Sequence, residues 1–201
     1  MKTVHLILWG AVAVGLILFL WLNIFQDASH LIDDGSSQNT TTSFIPTFSL
    51  TDHRGNVVTE QTYRNKWLLV FFGFTNCPDI CPTTLADLAS VMEQLGADAK
   101  AIIPLFISID PDRDRMETMA QYVSAFHPAI VGLTGTETQI TAAAGSFKVY
   151  FEKQPQESAP DGYTMGHTSA VYLISPAGEF VRTYSYGTQP DEITADLQQR
   201  L

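Results

Sequence analysis

Cysteine is nearly absent from this chain: there are two in 201 residues, at positions 77 and 81. A network of disulfides therefore does not hold the fold together. Basic residues are also scarce, 11 Lys and Arg against 21 Asp and Glu, for a formal net charge of -10. That balance argues against nucleic acid and suits a metal or a cationic partner, beside its plain effect on solubility. There is no internal repeat, and no further break in composition follows residue 43. One globular domain over 44–201, long enough to bury a real core, is the reading.

Long apolar runs are limited to one, Val4 to Phe25, interrupted mainly by His5 and Asn23. Its length is about the span of a bilayer. Lys2 precedes it, Asp27, Asp33 and Asp34 follow it, and Trp9 and Trp21 sit toward its ends. The positive-inside rule then puts the N-terminus in the cytoplasm and the rest of the chain outside. The alternative, a cleaved signal peptide, fits less well. The run exceeds a usual signal core, and Gln26-Asp27-Ala28 lacks a small-x-small cleavage pattern. Residues 1–26 are thus expected to be a transmembrane anchor, and the polar residues 27–43 a flexible linker.

The domain itself alternates strand and helix signals. A turn at Asp52 to Asn56 predicts an opening β-hairpin. Trp67 to Phe74, apolar throughout, predicts a strand buried on both faces. Leu85, Leu88, Val91, Met92 and Leu95 then recur at helical spacing until Gly96. Ile102 to Ile109 predicts a second buried strand, and Asp110 to Asp114 a turn into a helix carrying Met116, Met119, Tyr122, Val123 and Phe126. A short apolar piece at Ile130 to Leu133, a helix from Glu137 to Ala144 and a strand from Phe147 to Phe151 follow. Gln154 to Tyr163 reads as a polar surface loop, Thr168 to Ile174 and Glu179 to Tyr184 as a terminal hairpin, and Pro190 to Leu201 as a last helix. This order predicts an α/β sandwich.

Both cysteines fall in Cys77-Pro78-Asp79-Ile80-Cys81-Pro82, between the first buried strand and the first helix. Pro82 suits a first helical turn, and a helix N-terminus favours thiolate over thiol. Such a pair is compatible with a redox-active disulfide or with two sulfurs on one soft metal. This is the position of the cysteines in thioredoxin, with three intervening residues instead of two. Imidazole suits Cu(II) where thiolates suit Cu(I), and His167, just before the terminal hairpin, is the histidine that such a topology brings to the cysteine loop. His5, His30, His53 and His127 have no cysteine nearby on this reading. Met165 is a possible soft third ligand, Asp79 a residue that tunes the loop or simply turns it, and Met116 and Met119 are packing residues.

Three segments, Cys77 to Leu85, Ile107 to Asp114 and Gly166 to Leu173, together resemble the Sco (SenC) family, and the resemblance covers about Phe44 to Leu201. It implies a thioredoxin-like domain that binds one copper through two cysteines and a histidine, here Cys77, Cys81 and His167. It also implies help in building the CuA centre of cytochrome c oxidase. The expected partners are the oxidase's copper-bearing subunit and a copper donor protein, and the expected location is the outer, periplasmic face of a bacterial inner membrane. Family members often carry Asp directly before this histidine, where this chain has Gly166. A thiol–disulfide reductase that keeps the oxidase's copper-site cysteines reduced is the rival, using Cys77 and Cys81 as an attacking and resolving pair. A peroxiredoxin-like peroxidase is weaker, because Thr83 and Pro82 follow Cys81 where they would normally precede the reactive cysteine. Whether the protein is an enzyme is left open.

Overall fold

The computed structural model describes residues 44–201. The predicted anchor over 1–26 and linker over 27–43 lie outside the described residues. Within them, no helix is long and apolar enough to cross a membrane.

The chain opens with the expected hairpin, β1 (Ser49–Asp52) and β2 (Val57–Thr59). The Asp52 carboxylate closes its turn by accepting from the N–H groups of Arg54 and Asn56 at 2.9 and 2.8 Å, and Gly55 supplies the left-handed residue at φ 87°. Next comes β3 (Trp67–Gly73), whose residues from Leu68 to Gly73 are all buried. A strand covered on both faces must be apolar on both, which is why the run does not alternate. Helix α1 (Ile80–Leu95) buries Leu85, Leu88, Val91, Met92 and Leu95, and Gly96 ends it at φ 54°.

Strand β4 (Ile102–Ser108) lies parallel to β3, with Trp67 opposite Ile102 and Gly73 opposite Ser108. Both strands therefore end at one level, and the cysteine loop starts beside the Asp110–Asp114 turn. Helix α2 (Met116–Ser124) buries Met119 and Val123, while Met116 remains exposed. Strand β5 (Val131–Thr134) runs parallel to β4 and helix α3 (Glu137–Ser146) follows, with a reciprocal cap between Thr136 and Gln139.

The region after α3 departs from expectation. Phe147 begins no strand: it caps α3, and Lys148 takes a left-handed conformation at φ 59°. Phe147 is buried and meets the rings of Phe72 and Tyr172 at centroid distances of 5.2 and 5.9 Å. The strand starts only at Phe151 and runs to Pro155 as β6, which pairs antiparallel with β7 (Tyr163–His167); the expected loop survives as 156–162, the connection between these two strands. Strands β8 (Ala170–Ile174) and β9 (Phe180–Ser185) and helix α4 (Pro190–Gln198) complete the chain.

The main sheet has the order β2-β1-β5-β4-β3-β8-β9. Its centre is parallel and its flanks are antiparallel, a mixed α/β arrangement of the thioredoxin-like type. Strand β8 runs antiparallel to β3 with Phe71 opposite Val171. The start of β8 thus lies beside the end of β3, and residues 77 and 167 converge at one end of the sheet.

Candidate metal centre

The cysteine loop leaves β3 through a turn in which Cys77 N–H donates to Phe74 O at 3.2 Å. Helix α1 begins three residues later, so its first amides point back at the loop. One of them, Cys81 N–H, donates to the Cys77 sulfur at 3.4 Å. The unpaired donors of a helix start thus meet the sulfur best placed to carry negative charge. Neither cysteine is in a disulfide; Cys77 is half-buried and Cys81 buried.

Their acidities diverge, chiefly because the two side chains meet each other. The Cys81 side chain at the Cys77 sulfur holds the Cys77 thiol down to about 4, with His167 and the backbone N–H groups of Asp79 and Cys81 adding to the effect and burial opposing it. The same contact, then burial, pushes the Cys81 thiol far above the ordinary range. The contact thus favours negative charge on Cys77 and the proton on Cys81.

Cys81 owes its place to Gly73. A Cβ added at residue 73 would stand 2.7 Å from Cys81 Sγ and 2.8 Å from Phe106 Cε2. The missing side chain is the space that the sulfur occupies.

His167, the last residue of β7, faces that sulfur. Its Nε2 lies 3.9 Å from Cys81 Sγ, and its Nδ1 lies 3.0 Å from Thr168 O. A carbonyl oxygen only accepts, so Nδ1 carries a proton and Nε2 is the ring nitrogen turned toward the Cys81 sulfur. The rings of Phe71 and Phe74 wall the imidazole at centroid distances of 6.0 Å each, both edge-on. Two ligands of one soft ion at tetrahedral to trigonal angles would be about 3.5–3.7 Å apart, taking bonds of about 2.3 Å to sulfur and 2.0 Å to nitrogen. No three His, Cys, Asp or Glu side chains among the described residues are already gathered at metal-ligand spacing, and a closure of a few tenths of an ångström would bring this pair there. The donor set, two sulfurs and an imidazole, fits copper in either oxidation state.

The centre opens onto a cleft of about 380 Å³ lined by Phe74, Cys77, Ile80, Met165 and His167 among others. Met165 is buried in that wall. Asp79 precedes α1 without capping it; its carboxylate accepts from Thr83 Oγ1 at 3.4 Å. The other described histidines have structural partners: the Nδ1 atoms of His53 and His127 accept from the N–H groups of Gly132 and Ala129, each at 3.1 Å. His5 and His30 lie outside the described residues.

Sequence patterning missed the polar support beneath the loop. Asp114 is fully buried and accepts from Thr75 N at 3.0 Å, Thr75 Oγ1 at 2.5 Å and Ser108 Oγ at 2.7 Å. It ties the start of the cysteine loop to the end of β4. Burial pushes its carboxyl above the ordinary range, against the lowering effect of the Thr75 and Ser108 hydrogen bonds. An acidic run such as Asp110 to Asp114 looks like a solvated turn, and only the parallel register of β3 and β4 reveals that two of its carboxylates, those of Asp110 and Asp114, are buried.

Comparison with known proteins identifies the family. The profile of the SCO1/SenC family matches residues 36–201. Protein SCO2 homolog, mitochondrial, of Bos taurus is 42% identical over 156 residues, covering 77% of this chain and 58% of that protein's length. The structure of Bradyrhizobium japonicum ScoI with copper bound superposes with a TM-score of 0.72 at 39% identity, covering 79% of this chain and 99% of that one. BsSco, described as a member of the Sco family of cytochrome c oxidase assembly proteins with a disulfide switch, superposes with a TM-score of 0.62 at 25% identity, covering 78% and 92%. A family match over residues 36–201, most of the chain, makes this chain a member of the SCO1/SenC family.

Proposed function

We propose that this protein is a membrane-tethered copper chaperone that carries one copper on Cys77, Cys81 and His167 and delivers it during assembly of the CuA centre of cytochrome c oxidase. The carrying observation is the placement of His167 Nε2 3.9 Å from Cys81 Sγ, the ring being oriented by the Nδ1 hydrogen bond to Thr168 O. Copper is cargo here: two thiolates hold Cu(I), and the imidazole extends the set to Cu(II). The Cys77 side of the centre faces the cleft, where an acceptor's ligands can replace these one at a time. An anchor over residues 1–26 and a linker over 27–43 would keep the domain beside a membrane oxidase on the outer face of a bacterial inner membrane, raising the effective concentration. The oxidase's copper-bearing subunit and a copper donor are the partners on this reading.

Titration of the reduced full chain with Cu(I) against a competing chelator tests it. One equivalent should bind, and Cys77→Ser or Cys81→Ser should abolish it. Copper uptake that survives in the double variant would remove the assignment.

The acidity split favours a second activity at the same pair, thiol–disulfide reduction. The Cys77 thiolate would attack a partner's disulfide, and Cys81 would then displace the partner's thiolate, leaving the Cys77–Cys81 disulfide with two electrons passed on. Cys81→Ser should then trap a mixed disulfide on Cys77; failure to trap one leaves copper carriage alone.

A further inference from the structure

The ribbon that carries His167 is not part of the main sheet: β6 pairs only with β7. Something else must hold the ribbon to the body. The turn after β4 does so, through Tyr163 at the start of β7. The Tyr163 hydroxyl donates to Asp110 Oδ1 at 2.9 Å, Arg113 Nη1 donates to Tyr163 O at 3.3 Å, and the guanidinium carbon lies 3.8 Å from the Tyr163 ring centroid. Arg113 is itself ion-paired with Asp110. A second cation, Lys153 of β6, lies 3.8 Å from the same ring and pairs with Asp112 at 3.2 Å.

Burial decides which half of this clasp matters. The side chains of Arg113 and Asp110 are 11% and 3% exposed, those of Lys153 and Asp112 52% and 76%. Solvent screens the outer pair, whereas the inner pair acts where water is excluded. Arg113 also lies 5.8 Å from the ring of Phe74, which opens the cysteine loop and walls His167. One guanidinium thus touches both elements whose separation sets the width of the metal centre.

We propose that Arg113 is a positioning residue for the metal site: it clasps Tyr163 to the Asp110–Asp114 turn and so fixes, through β7, the distance between the His167 imidazole and the Cys81 sulfur. Tyr163 and His167 are four residues apart on one strand, about 13 Å, so the clasp sets an angle at a distance and supplies no ligand. The planar guanidinium is required because it stacks and donates at once, which an ammonium does not. The inference rests on the copper reading above.

The test uses the full chain with Arg113→Gln, Arg113→Lys and Tyr163→Leu, each verified as folded by its circular dichroism. In the Cu(II) form, Arg113→Gln should move the thiolate-to-copper absorption toward that of His167→Ala and weaken Cu(II) binding roughly tenfold, the lower end of what support residues contribute. Cu(I) binding by the two thiolates should change far less, and Arg113→Lys should restore the spectrum only in part. Without metal, amides of 151–155 and 163–167 should exchange faster in Arg113→Gln while those of α1 and β3 keep their protection. If Arg113→Gln does not fold, Tyr163→Leu breaks the clasp from the ribbon side and should give the same shifts. A folded variant with wild-type Cu(II) spectrum and ribbon exchange overturns the proposal. So does an equal further spectral change when Arg113→Gln is placed in the His167→Ala background, since the residue would then act elsewhere. Should the wild-type chain take up no copper, the chaperone reading falls, while the exchange measurement still decides the clasp.

Discussion

His167 Nε2 and Cys81 Sγ stand 3.9 Å apart although 86 positions separate them in the chain. Their approach follows from sheet topology: β8 runs back alongside β3, so the residues just before β8 reach the loop just after β3. The imidazole adds a borderline nitrogen to two soft sulfurs, and the two oxidation states should feel its loss unequally. His167→Ala should abolish or alter the thiolate-to-Cu(II) absorption and retain much of the Cu(I) uptake. An unchanged Cu(II) spectrum would take His167 out of the ligand set.

Gly73→Ala should injure the site from beneath. The new methyl would press on Cys81 Sγ and the Phe106 ring, both well under van der Waals distance. Overpacking of this kind costs about 1–3 kcal/mol, to be read from the denaturant midpoint of the metal-free domain. Cu(I) affinity should fall as well, because the displaced sulfur is one of the proposed ligands.

Reactivity of Cys77 should persist in acid. Its folded-state value, about 4, lies below that of an unfolded thiol, about 8.5. Between these two values the unfolded chain binds the extra proton, so the thiolate's contribution to stability is complete above the upper value and lost as pH falls through the lower one. Alkylation of the reduced, metal-free protein should therefore label Cys77 ahead of Cys81 and slow only as pH approaches 4. A rate that falls off near pH 8 would contradict the hydrogen bonds described here.

Asp114→Asn should destabilise the domain by roughly 1–3 kcal/mol. The amide keeps the volume but turns a donor toward a position where Thr75 N, Thr75 Oγ1 and Ser108 Oγ already donate. Thermal or chemical unfolding of the metal-free protein measures the loss.

The anchor yields a cell-level prediction. If residues 1–26 span the membrane uncleaved, the protein keeps Met1 and stays in the membrane fraction through salt and alkaline washing. A soluble protein starting near Phe44, exported to the same compartment, should support oxidase assembly only when overproduced, whereas Cys77→Ser in the full chain should fail at any level.

Most of the main sheet was legible because its signals are local. Leu68 to Phe72 are buried on both faces, and α1 repeats its apolar residues at helical spacing until a left-handed glycine ends it. The error at Phe147 has a physical source. Phe147, Val149 and Phe151 alternate with Lys148 and Tyr150 as a strand would, yet the first caps a helix, the second is a buried connector and only the third is in a strand. The two strands of the ribbon went unread because β6 is nearly all exposed after Phe151, whereas the loop between them, 156–162, lies within the expected one. Apart from Met165 and Phe151, which pack on the core, the ribbon is held by the Tyr163 clasp, and a contact between residues 110–113 and 163 leaves no periodicity. The cysteine motif and His167 stood out through residue type and position; Asp114 and Arg113 did not, since an inward-turning charge in an acidic turn looks like its solvated neighbours.

The hollow left by Gly73 has one more effect. Cys81 is fixed twice, by its backbone in the first turn of α1 and by its sulfur seated against β3, whereas Cys77 rides on a loop. An event that draws the two sulfurs together, a shared ion or a covalent bond, would meet less resistance on the Cys77 side. A change in the state of the pair would therefore be felt first by Pro78 and Asp79, which line the cleft beside Cys77.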